Sequence, residues 1–184
     1  MAVTALDPKT ALIVVDLQKG VVSPRTEPVI KNAASLADAF RRHTLPVVLV
    51  NVTGGAPGRK EQGGGGGVQR AADWTDFVPE LNQQPQDHTV TKKTWGAFTN
   101  TDLGAYLQAQ GVTQVVVVGV ATSIGVESTA RQAHELGLNV TLAIDAMTEG
   151  NADAHNNSVT RIFPRLGETG TTQDIIELLE KSRA

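Results

Sequence analysis

The sequence contains no cysteine. This excludes disulfide bonds, thiolate metal ligands and cysteine nucleophiles, and it leaves the redox compartment open. No apolar run approaches the length of a membrane span. The N-terminal stretch MAVTALDPKT lacks the charged and apolar regions of a signal peptide. We therefore expect a cytoplasmic protein that has no membrane partner.

Clustered positive charge is also missing: 16 Lys and Arg stand against 19 Asp and Glu, for a net charge of −3. Nucleic-acid binding requires such clusters, so no nucleic-acid partner is expected. Nucleotide-binding glycine motifs are absent as well. The four histidines are scattered, and no two have the spacing of metal ligands on a helix or hairpin. We expect no metal and no other cofactor.

Short apolar segments predict the strands. Four of them are rich in β-branched residues and nearly continuous in hydrophobicity: 11–16, 45–52, 112–120 and 138–145. Such runs are typical of strands buried on both faces of a parallel sheet. Weaker strands are expected at 88–92 and near 167–169. Segments with helical periodicity lie between them, at 29–40, 101–111, 123–137 and 171–182. The alternation predicts a three-layer α/β/α sandwich with a doubly wound, mainly parallel, six-stranded Rossmann-like sheet.

The chain of 184 residues is expected to form a single domain, residues 1–184. Within it, the segment GGAPGRKEQGGGGGVQR (54–70) contains five consecutive glycines at 63–67. Glycine has no side chain to pack and great backbone freedom, which favours a mobile surface loop. Because the segment follows the strand that ends near Asn51, the alternative is a lid over a ligand at the strand ends.

Ligands of doubly wound sheets bind beyond the carboxyl ends of the strands. Asp16 ends the first strand, where partial desolvation raises the pKa of a carboxyl group and suits it to acid–base chemistry; a helix cap is the alternative. Lys92 and Lys93 follow a weaker strand and, if the strand continues through them, point to opposite faces. A Lys near Asp16 would stabilise its anion or bind a substrate carboxylate, and an exposed surface position is the alternative. Trp95 and Phe98 frame WGAF, where core packing and an apolar wall for a small substrate both remain open.

Together these motifs resemble the isochorismatase-like hydrolases, or cysteine hydrolases, which include isochorismatase, nicotinamidase and N-carbamoylsarcosine amidase. The resemblance runs from TALIVVDLQKG through VTKKTWGAF to GVATSIGVESTARQA, AIDAM and TTQDIIELL. The family pattern has an Asp after the first strand, a Lys five residues before Ala-Phe, and a turn of the form G-V-A-T-D-x-C. Asp16 matches the Asp, and Lys92 matches the Lys because Ala97 and Phe98 follow at the required spacing.

The turn departs from the family pattern at two positions. Gly125 takes the place of the nucleophilic Cys, and Ser123 takes the place of the Asp. Covalent amidase chemistry needs an activated nucleophile. The turn resembles that of isochorismatases, in which a Gly can occupy this position. That resemblance implies another reaction, in which Asp16 protonates a vinyl ether, water adds to the product of that step, and pyruvate leaves. In that reaction Lys92 holds charge near Asp16 and the substrate carboxylate.

The resemblance also implies a cis peptide bond between Val120 and Ala121, with the amides of Ala121 and Gly125 directed at an oxyanion or carboxylate. Substrate contacts are predicted at Gln18, Trp95, Phe98, Arg59 and Ser123, although Ser123 is also a candidate helix cap. Gln62 and Arg70 are further candidates for binding a carboxylate. The partners implied are a small-molecule substrate and other copies of the chain, as a homodimer or homotetramer.

Two other functions stay open at this point. The first is a catalytically inactive homologue that binds a small molecule. The second is an amidase or ester hydrolase that uses water or Ser123.

Overall fold

The computed structural model describes residues 3–61 and 70–182. Gln62 and the glycines at 63–67 lie outside these ranges, so the loop or lid predicted for that part of 54–70 stays a prediction. In the described residues no helix is both long enough and apolar enough to cross a membrane.

Six strands form one sheet, and every neighbouring pair is parallel. They are β1 (Thr10–Val15), β2 (Val47–Val52), β3 (His88–Lys92), β4 (Gln114–Val120), β5 (Asn139–Thr148) and β6 (Glu168–Gly170). Their order is β3-β2-β1-β4-β5-β6. The strand order reverses between β1 and β4, which is where doubly wound sheets open a crevice for ligands. The predicted fold class is confirmed.

Helices cover both faces of the sheet. They are α1 (Glu27–Arg42), α2 (Leu103–Ala109), α3 (Glu127–Glu135), α4 (Ala152–Asn157), α5 (Phe163–Leu166) and α6 (Thr172–Ser182). Leu12 and Val14 of β1 pack with α1 and α6, whereas Ile13 and Val15 pack with α2, α3 and α5. Both faces of the strand are therefore buried, which explains why its sequence is continuously apolar rather than alternating.

Gly119 brings the ends of β1 and β4 close together. Its φ is +118°, and a Cβ at this position would lie 2.0 Å from the carbonyl oxygen of Val15. Only glycine fits this approach, because a side chain would collide with the neighbouring backbone. The close pairing places Asp16, the next residue after β1, beside the turn that follows β4.

The predicted helix over 123–137 is present but differs in its first turn, and one helical segment was not predicted. The helix predicted over 123–137 begins with a π-helical turn, Thr122–Val126, and α3 starts only at Glu127. After β5, the chain forms α4, a second π-helical turn (Ser158–Ile162) and α5, where no element was predicted. None of the residues of α4 is buried. Apolar periodicity is therefore missing from α4, and its Asn residues are weak helix formers. Farther along, Val159, Ile162, Phe163 and Leu166 have helical spacing and pack in the core, a signal that the prediction overlooked.

Candidate active site

Asp16 and Lys92 meet across the end of β2, which lies between their two strands. Asp16 has a left-handed backbone conformation, with a φ of 55°. Lys92 Nζ donates hydrogen bonds to Asp16 Oδ2 at 2.7 Å and to the carbonyl oxygen of Thr94 at 3.2 Å. The side chains of Lys92 and Asp16 are only 2% and 9% exposed, whereas the neighbouring Lys93 is exposed. The structure thus joins the two residues that the sequence singled out.

The environment of Asp16 makes its carboxyl group easier to protonate than that of a free aspartate. Burial raises the pKa of the Asp16 carboxyl group to about 6, although the Lys92 ammonium group acts to lower it. Oδ2 is bonded to Lys92, while Oδ1 is buried and has no hydrogen-bond partner among the described residues. A proton on Oδ1 makes that atom a donor and leaves the contact of Oδ2 with Lys92 intact. Asp16 is thus suited to give a proton to a group placed at Oδ1.

The raised pKa makes the free energy of unfolding depend on pH. The folded protein holds the Asp16 proton more tightly than the unfolded chain does. This stabilisation is fully present below the ordinary pKa of 3.8 and is lost as the pH rises through about 6. We expect the loss to be about 3 kcal/mol and to be absent from the Asp16→Asn variant. Urea unfolding of both proteins between pH 4 and pH 7 measures it. If the free energies of unfolding of the unaltered protein and Asp16→Asn differ by the same amount at every pH, the expectation is contradicted.

The turn after β4, which we call the elbow (Ala121–Val126), approaches Asp16 at Gly125. The peptide bond between Val120 and Ala121 is cis. The amides of Ile124 and Val126 both donate to the carbonyl oxygen of Ala121, at 3.1 and 3.2 Å. A Cβ on Gly125 would lie 3.2 Å from Asp16 Oδ2 and 3.0 Å from Val15 Cγ1. The position of the family's Cys therefore faces the Asp16 carboxyl group directly, and it is packed tightly for any side chain.

Gly125→Ala is expected to lower the free energy of unfolding by about 1–3 kcal/mol, because the added methyl group presses on Asp16 Oδ2 and on Val15. Gly104→Ala in α2 is the matched control. Its Cβ would meet only Phe98 Cδ1, at an ordinary 3.8 Å, and alanine is favoured within helices. Urea unfolding of the two variants makes the comparison. Equal stability of the two would show that position 125 is not tightly packed.

Side chains from beyond β5 hold the elbow in place. Glu149 Oε2 accepts a hydrogen bond from the amide of Ser123 at 2.6 Å. Thr122 Oγ1 lies 2.8 Å from His155 Nδ1. The predicted capping role of Ser123 is wrong: the turn has Ala121 at its N-cap position, and Glu149 accepts the amide instead. The sequence analysis missed Glu149, although its position just beyond the end of a buried strand was a usable signal.

The loop that follows Lys92 is fixed to α3 by two side chains. Thr129 Oγ1 donates to the carbonyl oxygen of Gly125 at 2.7 Å and accepts from the amide of Ala97 at 3.1 Å. Gln132 Oε1 accepts from the amide of Phe98 at 3.1 Å. The helix α3 therefore holds both the elbow and the loop after Lys92, which fixes the position of Gly125 relative to Lys92.

Two residues predicted to contact the substrate, Gln18 and Phe98, make structural contacts. The side-chain amide of Gln18 donates to the carbonyl oxygens of Val52 and Trp74, each at 3.1 Å, and accepts from the amide of Val52 at 2.7 Å. Both of its N–H groups are used, so Gln18 ties the end of β2 to the loop before β3. Phe98 is partly buried against the core and lines a surface hollow with Leu107 of α2.

Two clefts open at the carboxyl edge of the sheet. The α3-side cleft has a volume of about 420 Å³ and is lined by Arg59, Lys60, Trp95, Ser128 and Gln132, among others. The α1-side cleft has a volume of about 540 Å³ and lies between the connection from β1 to α1 and the ends of β4 and β5. The elbow borders the α1-side cleft at Ala121.

The α3-side cleft carries the positive charge predicted for substrate binding. Arg59 and Lys60 lie at one wall, and Trp95, which is 59% exposed, lies at another. Arg70 is engaged elsewhere: it donates to the carbonyl oxygen of Thr53 at 2.6 Å and lies 4.1 Å from the Trp74 ring centre. Within residues 3–61 and 70–182, no three His, Cys, Asp or Glu side chains come close enough to hold a metal ion.

Comparison with known proteins identifies the family. The model of the isochorismatase domain matches residues 10–174. The chain is 43% identical over 176 residues to the isochorismatase family protein YwoC of Bacillus subtilis, covering 92% of this chain and 93% of that protein. It is 35% identical over 142 residues to streptothricin hydrolase of Streptomyces noursei, covering 74% and 48% of the two chains.

A solved structure agrees with this similarity. An isochorismatase family protein from Burkholderia thailandensis superposes with a TM-score of 0.90 at 38% identity, covering 96% of this chain and 98% of that one. The protein is therefore a hydrolase with a doubly wound α/β fold. It belongs to the isochorismatase family, as its motifs predict.

Proposed function

We propose that this hydrolase acts on a small, carboxylate-bearing metabolite without a covalent intermediate, with Asp16 as general acid and base. The observation that carries the proposal is the buried Asp16–Lys92 pair, which faces a position that has no side chain, Gly125. A proton donor is present at this point and the family's nucleophile is not. Such a site suits a reaction that begins with protonation of the substrate rather than with nucleophilic attack.

Cleavage of a vinyl ether of the isochorismate type is the leading model. Asp16 Oδ1 gives its proton to the terminal carbon of the double bond, and the ether oxygen stabilises the resulting oxocarbenium ion. Water then adds to the cationic carbon and returns a proton to Asp16. The hemiketal collapses as its hydroxyl proton passes to the ether oxygen, releasing an alcohol and a keto acid. One water is consumed and Asp16 ends the cycle protonated, as it began.

Lys92 acts as the electrostatic partner of Asp16. When Asp16 loses its proton, the new carboxylate is already bonded to the Lys92 ammonium group at 2.7 Å, so its charge is balanced inside the protein. We further propose that the amides of Ala121 and Gly125 bind an oxyanion or carboxylate of the substrate. Arg59 and Trp95 contact the remainder of the substrate from the α3-side cleft.

We propose a homodimer or homotetramer as the working assembly. A mass of 19.4 kDa in light scattering, which is the mass of one chain, would contradict it.

The pH dependence of hydrolysis tests the proposal. Only protonated Asp16 starts the reaction, and the pKa of its carboxyl group is about 6. We therefore expect kcat/KM for an enolpyruvyl ether to fall about tenfold for each pH unit above that value. Initial rates between pH 5 and pH 8 measure the profile. A rate that rises over this interval would contradict a general-acid role.

Direct attack of water on an amide or ester is the second candidate function, favoured by the similarity to ureidoacrylate amidohydrolase RutB of Acinetobacter baylyi, which is 26% identical over 209 residues. In that reaction Asp16 acts first as a base, so the rate rises with pH through about 6. A Ser123 nucleophile would instead leave an acyl adduct, which intact-protein mass spectrometry detects. A homologue that only binds its ligand would return that ligand unchanged.

A further inference from the structure

The α1-side cleft is a second cavity: it borders the elbow at Ala121, and neither Asp16 nor Lys92 lines it. Its wall is largely apolar, formed by Val21, Pro24, Val120 and Ala121 among others. It lies where the strand order reverses between β1 and β4, at the position that favours ligand binding in doubly wound sheets. Its volume of about 540 Å³ falls within the range of small-molecule sites.

Glu149 places a fixed negative charge in this cleft. The residue follows β5, is half-buried and lines the cleft beside Gly150. The hydrogen bond from the Ser123 amide to Oε2, at 2.6 Å, holds the carboxylate against the elbow. A carboxylate has several acceptor positions, so this one bond leaves capacity for a ligand. In the described part of the chain no salt bridge joins Glu149 to a basic side chain, and Arg25 lines the cleft as an exposed residue.

We propose that the α1-side cleft binds a small apolar molecule, or the apolar part of one, that presents an ammonium group to Glu149. The apolar wall gains from contact with a ring or a branched chain. The fixed carboxylate attracts a cation and repels a second carboxylate, so charge decides which apolar ligands bind. Binding at this site needs neither Asp16 nor turnover, so the inference does not rest on the proposed function.

Three probes of similar size and different charge test the inference: benzylamine, benzyl alcohol and benzoate. Each is titrated into ¹⁵N-labelled full-length protein at neutral pH and fixed salt, and amide chemical shifts report both affinity and location. We expect benzylamine to bind about tenfold more tightly than benzoate, as charge-assisted hydrogen bonds allow. The largest shifts are expected at Val21, Ala121 and Gly150.

Glu149→Gln keeps the side-chain length and an oxygen for the Ser123 amide, and removes only the charge. It is expected to weaken benzylamine binding about tenfold and to change benzyl alcohol binding by less than about twofold. Glu135→Gln, an exposed position on α3, is the control that removes a charge elsewhere. Val21→Trp fills the mouth of the cleft and is expected to weaken all three probes.

Three results would overturn the inference. The first is benzoate binding at least as tightly as benzylamine to the unaltered protein. The second is an equal effect of Glu149→Gln and Glu135→Gln on benzylamine. The third is a set of probe-induced amide shifts that lies outside the cleft, or that Val21→Trp does not change. This third result does not depend on Glu149→Gln, so the test stays decisive if that variant is unstable.

Discussion

Replacing Asp16 by Asn is expected to lower kcat/KM for a vinyl ether substrate by about three orders of magnitude. Asparagine has nearly the same shape as aspartate, and its side-chain oxygen still accepts a hydrogen bond from Lys92. It has no acidic proton to give to carbon, so the first step of the reaction is lost while the site keeps its geometry. A coupled assay of keto acid release measures the effect, and circular dichroism confirms that the variant is folded.

Asp145→Asn is the matched control for this substitution. Asp145 lies in β5, and its Oδ1 accepts hydrogen bonds from the amide and the hydroxyl group of Thr172, at 2.7 and 2.9 Å. It therefore fixes the start of α6 and has no contact with Asp16. Asparagine keeps the accepting oxygen, so we expect its substitution to lower stability by less than about 1 kcal/mol and to leave kcat/KM nearly unchanged. If Asp16→Asn behaves like Asp145→Asn, Asp16 is not the acid.

Replacing Lys92 by Met is expected to lower the free energy of unfolding at pH 8 by about 3–5 kcal/mol, the range for removing one member of a buried ion pair. The Asp16 carboxylate would remain buried without its counter-charge, so its pKa would rise above the present value of about 6. The destabilisation should therefore shrink at pH 5, where Asp16 becomes neutral. Urea unfolding at the two pH values measures both effects.

Two further variants separate charge burial from loss of packing. Asp16→Asn combined with Lys92→Met removes both charges and is expected to recover most of the lost stability. Lys93→Met changes the exposed neighbour of Lys92 and is expected to stay within about 0.5 kcal/mol of the unaltered protein. Equal effects of Lys92→Met and Lys93→Met would mean that the buried pair is not a strong interaction.

The sequence was sufficient to predict the sheet because its strands are buried on both faces. Continuous apolar runs mark β1, β2, β4 and β5 to within about three residues. Within the missed segment at 152–166, no periodic pattern marks α4 because none of its residues is buried. Val159, Ile162, Phe163 and Leu166 do have helical spacing and pack in the core, and the prediction overlooked them.

Sequence motifs were sufficient to identify those site residues whose place in a motif is fixed by spacing. They were not sufficient for residues whose contacts depend on the direction of the side chain. Asp16, Lys92 and Gly125 follow from their spacing in the motifs, and the structure brings them together. Gln18 and Phe98 lie close to them in sequence, yet backbone hydrogen bonds hold Gln18 and core packing holds Phe98. Beyond the end of a strand the chain leaves its extended conformation, so the alternation of side chains no longer tells which way a residue points.

The claim that the reaction begins with protonation of a substrate carbon by Asp16 is tested most directly by hydrolysis of an enolpyruvyl ether in water enriched in ¹⁸O. Protonation makes the enol carbon the point of water attack, so cleavage occurs between that carbon and the ether oxygen. Mass spectrometry of the alcohol product is decisive because its oxygen does not exchange with water. The account predicts an alcohol without ¹⁸O, formed by the unaltered protein and lost in Asp16→Asn. An alcohol that carries ¹⁸O, or unaltered protein that leaves every such ether intact, would contradict it.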